Sequence, residues 1–283
     1  MPRPRIALAL GSGGLKGMAH VGVLRALEEA EIRPAVYAGS SAGALVAAAA
    51  AHGIALAEMI SLAERLRRRS LFQIDFLGLL RYGLRTPALY RSAPLRALCD
   101  ELFGETTFKQ LRTPLVVSSV DVGTSTPLWW GMEGLSDVPV ADAVYASCAM
   151  PGLLPPGLVS GRICMDGGVL DPLALRAVAP LADLVIAVVL DSNPARTLGT
   201  ARMSAAPTLW WHAHTMVARD LSRHMLAGWD GPPLLLVRPQ LRNVHPLRGA
   251  DPEWLVDAGY EAARIALDRW DGLTVSAGDA HRI

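Results

Sequence analysis

A serine between two glycines stands out in the N-terminal part of the sequence. Gly39, Ser41 and Gly43 form a Gly-x-Ser-x-Gly pattern between a short apolar run and an alanine-rich segment. A nucleophilic serine on a tight strand-to-helix turn needs small neighbours on both sides, because the backbone there is strained. The adjacent Ser40 does not fit the pattern, because the two positions that would need glycine are Ala38 and Ala42. The pattern therefore favours Ser41 as a nucleophile, although an ordinary glycine-rich turn can produce the same match by chance.

A glycine-rich loop precedes this serine, again at a predicted strand-to-helix turn. Its notable residues are Gly11, Gly13, Gly14, Leu15, Lys16 and Gly17. Free backbone N–H groups and a helix N-terminus favour negative charge. A dinucleotide fingerprint would need glycine at Lys16, and a P-loop would need Ser or Thr at Gly17. We therefore interpret the loop as an oxyanion hole, in which N–H groups near Gly13 and Gly14 would meet the oxyanion formed when Ser41 attacks an ester.

The general base is the second requirement of a serine nucleophile, and histidine is its usual form. Most of the seven histidines fall within helical patterns. Asp166 instead ends a strand-like segment and is followed by Gly167 and Gly168, which allow the backbone to pass close to a neighbouring turn. A plain Asp-Gly turn is the common alternative. We predict Asp166 as the base of Ser41, 125 positions further along the chain.

Two other functions stay open at this point. One is an α/β-hydrolase with a Ser-His-Asp triad, in which His212, His214 or His245 would be the base. The other is a non-catalytic regulator that binds phosphate or a nucleotide through the glycine-rich loop, with Ser41 idle.

The elements that position these residues alternate between strands and helices. Strands are predicted at 5–10, 35–38, 114–121, 126–130, 162–165, 183–190 and 234–237. Helices are predicted at 17–30, 42–52, 56–69, 92–103, 140–148, 206–226 and 251–270, with Ser92 and Asp251 as N-caps. This alternation predicts an α/β fold with a mainly parallel sheet and helices on both faces.

Composition limits the classes of partner and compartment. The 283 residues suit one domain over 1–283, with core motifs in 5–172 and strands and helices in 183–270 completing it. A formal charge of +1 argues against nucleic acid as a partner. Three scattered cysteines indicate reduced thiols rather than a disulfide framework or a zinc site. No export signal is visible, and the uncharged run 42–57 is shorter than the ~20 residues of a bilayer span, so we expect a cytoplasmic protein.

Segment 71–90 is the least regular part of the chain and is predicted to be an insertion or a cover over the acyl site. Arginines at 65, 67, 68 and 69 precede apolar residues between 71 and 80. This combination could dip into the inner face of a membrane. The favoured alternative is that a basic helix end is favourable by itself and that the apolar residues belong to the core.

Four motifs in order carry a resemblance to a known family. They are the glycine-rich loop with Lys16, the Gly-x-Ser-x-Gly turn, the Ala-Ser-x-Ala-x-Pro segment at 146–151 with two prolines at 155–156, and Asp166-Gly167-Gly168. Together they resemble the patatin-like phospholipases, especially the compact bacterial members, over residues 6 to about 172. Asp171 stands where many relatives have asparagine.

The resemblance implies a three-layer α/β/α fold and a Ser–Asp dyad that needs no metal or cofactor. The substrates it implies are acyl lipids or other carboxylic esters, as for a phospholipase A, a lysophospholipase or an esterase of the EC 3.1.1 type. By the same resemblance, Ser41 is the nucleophile, Asp166 is the proton acceptor, and Gly13, Gly14 and Leu15 supply the oxyanion N–H groups. Acyl-chain length and oligomeric state stay open.

Overall fold

A mixed sheet forms the centre of the computed structural model, which describes residues 4–68, 71–83, 86, 88–190, 206–241 and 251–270. Within these residues the sheet has eight strands: β1 (Ile6–Leu10), β2 (Val36–Ser40), β3 (Leu115–Asp121), β4 (Thr126–Trp130), β5 (Gly157–Val159), β6 (Arg162–Asp166), β7 (Leu184–Val188) and β8 (Leu234–Val237). Strands β3, β2, β1, β7 and β8 run parallel in that order, whereas β4, β6 and β5 are antiparallel to their neighbours.

Helices cover both faces of this sheet. They are α1 (Met18–Glu29), α2 (Ala42–His52), α3 (Leu56–Arg68), α4 (Phe76–Tyr82), α5 (Ala93–Phe103), α6 (Val140–Cys148), α7 (Leu175–Val178), α8 (Ala206–Ala227) and α9 (Pro252–Asp268). Alternate residues of β1 serve the two faces: Leu8 and Leu10 join the core under α1, α2 and α9, and Ala7 and Ala9 join the core under α7. The predicted three-layer fold with a mainly parallel sheet is therefore confirmed.

Strands β2 and β6 end next to each other along one edge of β3. Its residues Ser118 and Ser119 both pair with β4 along one edge of the strand. On the opposite edge Ser118 pairs with Ser40 of β2, and Ser119 pairs with Asp166 of β6. Because a strand has only two edges, β2 and β6 share one of them and meet end to end. Their last residues, Ser40 and Asp166, thus occupy consecutive positions along β3.

Helix α9 joins the C-terminal part of the chain to its start by packing directly on α1. The contact is a close backbone approach at two glycines. A Cβ atom at Gly22 would overlap the carbonyl oxygen of Val256, and one at Gly259 would overlap that of Ala19. Side chains at these positions would force the two helices apart.

Most predicted elements are present, with differences at particular places. β5, α7 and α4, the last within the irregular segment 71–90, are additional elements. Asp251 caps α9 by accepting the N–H of Glu253, as predicted, but the Ser92 side chain makes no capping hydrogen bond to α5. No helix in the described ranges is long and apolar enough to cross a bilayer. Of the predicted residues, Arg69 and His245 lie outside the described ranges.

Candidate active site

Ser41 lies at the turn between β2 and α2, in a conformation that non-glycine residues rarely adopt. Its φ and ψ are 56° and −124°, so the backbone is strained there. The turn is tight because the start of α2 lies against both strands. A Cβ at Gly39 would overlap the backbone of Gly43, and one at Gly43 would overlap the carbonyl of Leu10. The glycines of the Gly-x-Ser-x-Gly pattern thus have a steric reason.

The Ser41 hydroxyl donates a hydrogen bond to Asp166. The distance from Oγ to Oδ2 is 2.8 Å. The other carboxylate oxygen, Oδ1, accepts the N–H of Gly168 at 2.7 Å, and the backbone N–H of Asp166 donates to the carbonyl of Ala149 at 3.0 Å. The carboxylate is therefore held from two sides, with one oxygen directed at the serine.

Burial sets the protonation behaviour of this carboxylate. The Asp166 side chain is almost completely buried, and this burial raises its pKa above the ordinary aspartate value. The electrostatic interaction with the imidazole of His214 and the hydrogen bonds from Ser41 and Gly168 lower the pKa of Asp166, but the effect of burial is larger. A carboxylate with a raised pKa is a stronger base than an exposed aspartate.

Ser147 holds the serine turn in place, and the sequence analysis did not identify it as a site residue. The backbone N–H of Ser41 donates to Ser147 Oγ at 2.8 Å, and that hydroxyl donates to the carbonyl of Ser118 at 2.6 Å. The signal was present in the sequence, because Ser147 belongs to the Ala-Ser-x-Ala-x-Pro segment. Its role became visible only when α6, β2 and β3 were brought together.

The glycine-rich loop lies beside the dyad. Gly13 and Gly14 line the same cavity as Ser41 and Asp166. Among the described residues, no acceptor takes a backbone hydrogen bond from the N–H groups of Gly13 or Gly14. Leu15 follows them in a short 3-10 turn over Gly14–Gly17. Two unused N–H groups near a serine hydroxyl are the arrangement that an oxyanion hole requires.

Two buried cationic or titratable side chains anchor this loop. Lys16 is buried, and its Nζ donates to the carbonyl of Leu190 at 3.0 Å. His20 of α1 is fully buried, and its Nε2 lies 2.8 Å from the carbonyl of Gly11. Burial lowers the pKa of His20 to about 4, and the charge of Lys16 contributes to the lowering, while the hydrogen bond to Gly11 opposes it. His20 is therefore neutral at physiological pH.

The cavity between the loop and the dyad has a volume of about 60 Å³. Its far wall is α8, which presents His214, Thr215, Ala218, Arg219 and Ser222. His214 thus lies at the site, as a Ser-His-Asp triad would require, but the Ser41 hydroxyl donates to the carboxylate of Asp166. The side chain of His212 and all of His245 lie outside what the structure describes.

Asp171 lies shortly after the Asp166-Gly167-Gly168 motif and positions the chain there. Asp171 is buried and accepts hydrogen bonds from Trp129 Nε1 at 2.7 Å and from the Ala174 N–H at 2.9 Å, so it fixes the segment after Gly168. In the described part of the chain, no three His, Cys, Asp or Glu side chains are grouped so that they could hold a metal ion.

Comparison with known proteins identifies the family of this site. The model of the family described as "Patatin-like phospholipase" matches residues 8–179, which include every motif described above. The chain belongs to the patatin-like phospholipase family. Strands β7 and β8 and helices α8 and α9 of this patatin-like chain lie beyond the matched residues.

Its similarity to individual proteins is more moderate. An uncharacterized NTE family protein of Mycobacterium tuberculosis is 36% identical over 193 residues, which are 68% of this chain and 51% of the relative. Lysophospholipase nte1 of Aspergillus fumigatus is 29% identical over 198 residues, covering 69% of this chain and 12% of the fungal protein. The chain thus spans about half the length of the mycobacterial relative. VipD from Legionella pneumophila has a similar fold, with a TM-score of 0.52 at 15% identity over 94% of this chain and 67% of VipD.

Proposed function

We propose that this patatin-like chain is a serine hydrolase that cleaves carboxylic ester bonds of lipids, with Ser41 as its nucleophile and Asp166 as its proton acceptor. The observation that carries the proposal is the 2.8 Å hydrogen bond from Ser41 Oγ to Asp166 Oδ2 on a strained turn. Family membership and the similarity to a lysophospholipase support lipid esters as the substrate class. This is chemistry of the phospholipase A, lysophospholipase or esterase type, within EC 3.1.1.

The first half of the reaction forms an acyl-enzyme. Ser41 Oγ attacks the ester carbonyl carbon while its proton passes to Asp166. The carbonyl electron pair moves to oxygen, and the N–H groups of Gly13, Gly14 and Leu15 stabilise the resulting oxyanion. When this intermediate collapses, the alcohol portion leaves with the proton from Asp166, and the acyl group stays on Ser41.

The second half releases the acid. Water attacks the acyl carbon of Ser41, and Asp166 takes the proton from that water. Collapse of the second oxyanion returns the proton to Ser41 Oγ and frees the carboxylic acid. Burial assists both halves, because the raised pKa of Asp166 makes it a better proton acceptor than an exposed aspartate.

The experiment that tests this proposal is covalent labelling with a serine-directed fluorophosphonate, together with hydrolysis of a lipid ester. Ser41→Ala should lose the label, and Ser41→Ala and Asp166→Asn should each lower kcat by roughly a thousandfold or more. Ser40→Ala is a matched control. Its buried Oγ has no hydrogen-bond partner among the described residues, so the variant should keep both the label and the activity. Full activity in Asp166→Asn would overturn the dyad.

The second candidate, a Ser-His-Asp triad, is favoured by one observation: His214 lines the cavity. In a triad, His214→Ala would lose as much activity as Ser41→Ala, because His214 would be the general base. His214→Ala and Asp166→Asn would then both abolish proton transfer. In the dyad, His214→Ala keeps measurable turnover and the fluorophosphonate label. Absence of labelling in the unmodified protein would instead favour the phosphate-binding regulator.

We also propose that α4 contacts a lipid surface. Its side chains Phe76, Leu77 and Leu80 are exposed by 73%, 78% and 86%, which contradicts their assignment to the core in the sequence analysis. Segment 64–91 contains seven arginines and two acidic residues, a formal charge of +5 in a chain whose total is +1. Exposed apolar side chains within an arginine-rich segment of the sequence suit an anionic bilayer surface.

Backbone hydrogen bonds connect the segment that carries α4 to the region of the cavity. A backbone ribbon carries the helix: Asp75 N–H donates to the carbonyl of Leu89, and Arg91 N–H to that of Gln73. The ribbon is attached to the site region through the hydrogen bond from Leu89 N–H to the carbonyl of Gly152. Leu89 also packs against the cluster of Met150 and Leu153, and Met150 lines the cavity.

Co-sedimentation with phosphatidylglycerol vesicles tests the lipid surface. Replacing Phe76, Leu77 and Leu80 together by serine should abolish binding. Leu158→Ser is the control, because this side chain of β5 is 62% exposed but lies outside the arginine-rich segment. Equal binding by both variants would contradict the proposed lipid surface.

We also propose that residues 1–283 form one domain. Pairing of β7 with β1 and packing of α9 on α1 support this proposal.

A further inference from the structure

Helix α8 presents one face to the dyad, although it lies outside the residues that the family model matches. Thr215, Ala218, Arg219 and Ser222 are spaced by three and four residues, so they lie on one side of the helix. All four line the cavity of Ser41 and Asp166. The dyad mechanism uses none of them.

Arg219 is the cationic residue on this face that has a buried donor atom without an acceptor in the described part of the chain. Its Nε is buried and has no hydrogen-bond partner among the described residues. A guanidinium is always charged in proteins, and a buried donor without an acceptor costs free energy. Arg219 lines the cavity of Ser41 and Asp166. It therefore brings this N–H donor, on a cationic side chain, to the edge of the site, and an anionic group of a ligand would satisfy that donor.

We propose that Arg219 binds the phosphate of the substrate and so selects phospholipid esters over neutral acylglycerols. The proposal rests on the proposed lipid hydrolase function and adds the residue that recognises the phosphate. A guanidinium matches a phosphate with two parallel N–H donors. In a lysophospholipid the ester and the phosphate are separated only by the glycerol unit. Because Ser41 and Arg219 line the same cavity, a substrate with its ester at Ser41 would present its phosphate on the side of Arg219.

The test compares two substrates with the same acyl chain, lauroyl lysophosphatidylcholine and monolaurin, both as monomers in solution. Arg219→Ala should lower the ratio of kcat/KM for the phospholipid to that for monolaurin by roughly 10- to 100-fold, the loss expected for a charge-assisted hydrogen-bond pair. Arg219→Lys should restore part of the ratio, because it keeps the charge but loses the planar fork. Arg223→Ala, an exposed arginine one turn further along α8, should keep the wild-type ratio.

A binding measurement separates this proposal from the hydrolase function. In the Ser41→Ala background, calorimetry should show that Arg219→Ala weakens binding of the lysophospholipid by a similar factor and that of monolaurin much less. This difference holds even if the wild-type protein hydrolyses neither lipid, in which case only the hydrolase function fails. An equal loss for both lipids assigns Arg219 a purely structural role and overturns the proposal, as does no loss for either.

Discussion

His20 should make the protein sensitive to mild acid, through a group that takes no part in the proposed reaction. Its Nε2 donates to the carbonyl of Gly11, at the start of the glycine-rich loop. A second proton would have to bind at Nδ1, which is buried and has no hydrogen-bond partner among the described residues. Protonation in the folded state would therefore create an unpaired buried N–H on a charged ring, close to Lys16.

The size of the effect follows from the two pKa values. The folded pKa of about 4 lies below the unfolded value of 6.5. Between these values the unfolded chain binds a proton that the folded chain does not, so stability falls as the pH falls from 6.5 to 4. The full loss is about 3 kcal/mol, and about 2 kcal/mol of it occurs between pH 8 and pH 5. A typical domain has only about 5–15 kcal/mol of stability in total.

Urea denaturation at these two pH values measures the effect. His20→Gln is the informative variant, because the glutamine amide can still donate to Gly11 but does not titrate. The fall in the free energy of unfolding from pH 8 to pH 5 should be about 2 kcal/mol smaller in this variant than in the wild type. His224→Gln, which alters an exposed imidazole, should change that fall by less than about 1 kcal/mol. If His20→Gln retains the wild-type fall, burial does not hold His20 neutral and the reasoning is wrong.

Three further predictions concern the dyad. Asp166→Asn should raise the free energy of unfolding at neutral pH while abolishing activity. The reason is that a carboxyl group whose pKa is raised by folding destabilises the folded protein once it is ionised. A lower free energy of unfolding for the variant in urea denaturation would contradict this. For the same reason, kcat/KM of the wild type should rise with pH through a midpoint above the ordinary aspartate value near 3.8, and a pH–rate profile locates it. Ser147→Ala should cost about 1–3 kcal/mol and lower kcat, because it leaves the buried N–H of Ser41 without an acceptor; unchanged kcat and stability would refute that role.

The parts of the site that could be predicted from the sequence have local causes. The turn at Ser41 could be located because Gly39 and Gly43 are required by steric overlap within a few residues of the serine. Asp166 could be proposed because it ends a strand and precedes two glycines. In both cases the chemistry-bearing residue and its structural signature are adjacent in the chain, so a short window contains the whole signal.

The remaining parts depend on contacts between distant segments. Ser147 accepts a hydrogen bond from a residue 106 positions away. The Ala-Ser-x-Ala-x-Pro segment marks Ser147 in the sequence, but it does not indicate which group its hydroxyl contacts. The periodicity of α8 predicts a helix, but it does not indicate that Arg219 faces the dyad. The exposed side chains of α4 were assigned to the core because an apolar composition gives no information about whether another element covers it.

The end-to-end meeting of β2 and β6 on β3 makes the dyad dependent on a short ladder. Only three residue pairs join β6 to β3, ending at Ser119 and Asp166, whereas Ser41 follows a strand in the parallel centre of the sheet. Sub-global opening is expected first where a segment has few backbone hydrogen bonds to its neighbour. Fraying of these three pairs would separate the carboxylate from Ser41 while the parallel strands stay paired. Loss of catalytic turnover would then precede global unfolding, and the amide protons of β6 would exchange with solvent sooner than those of β1.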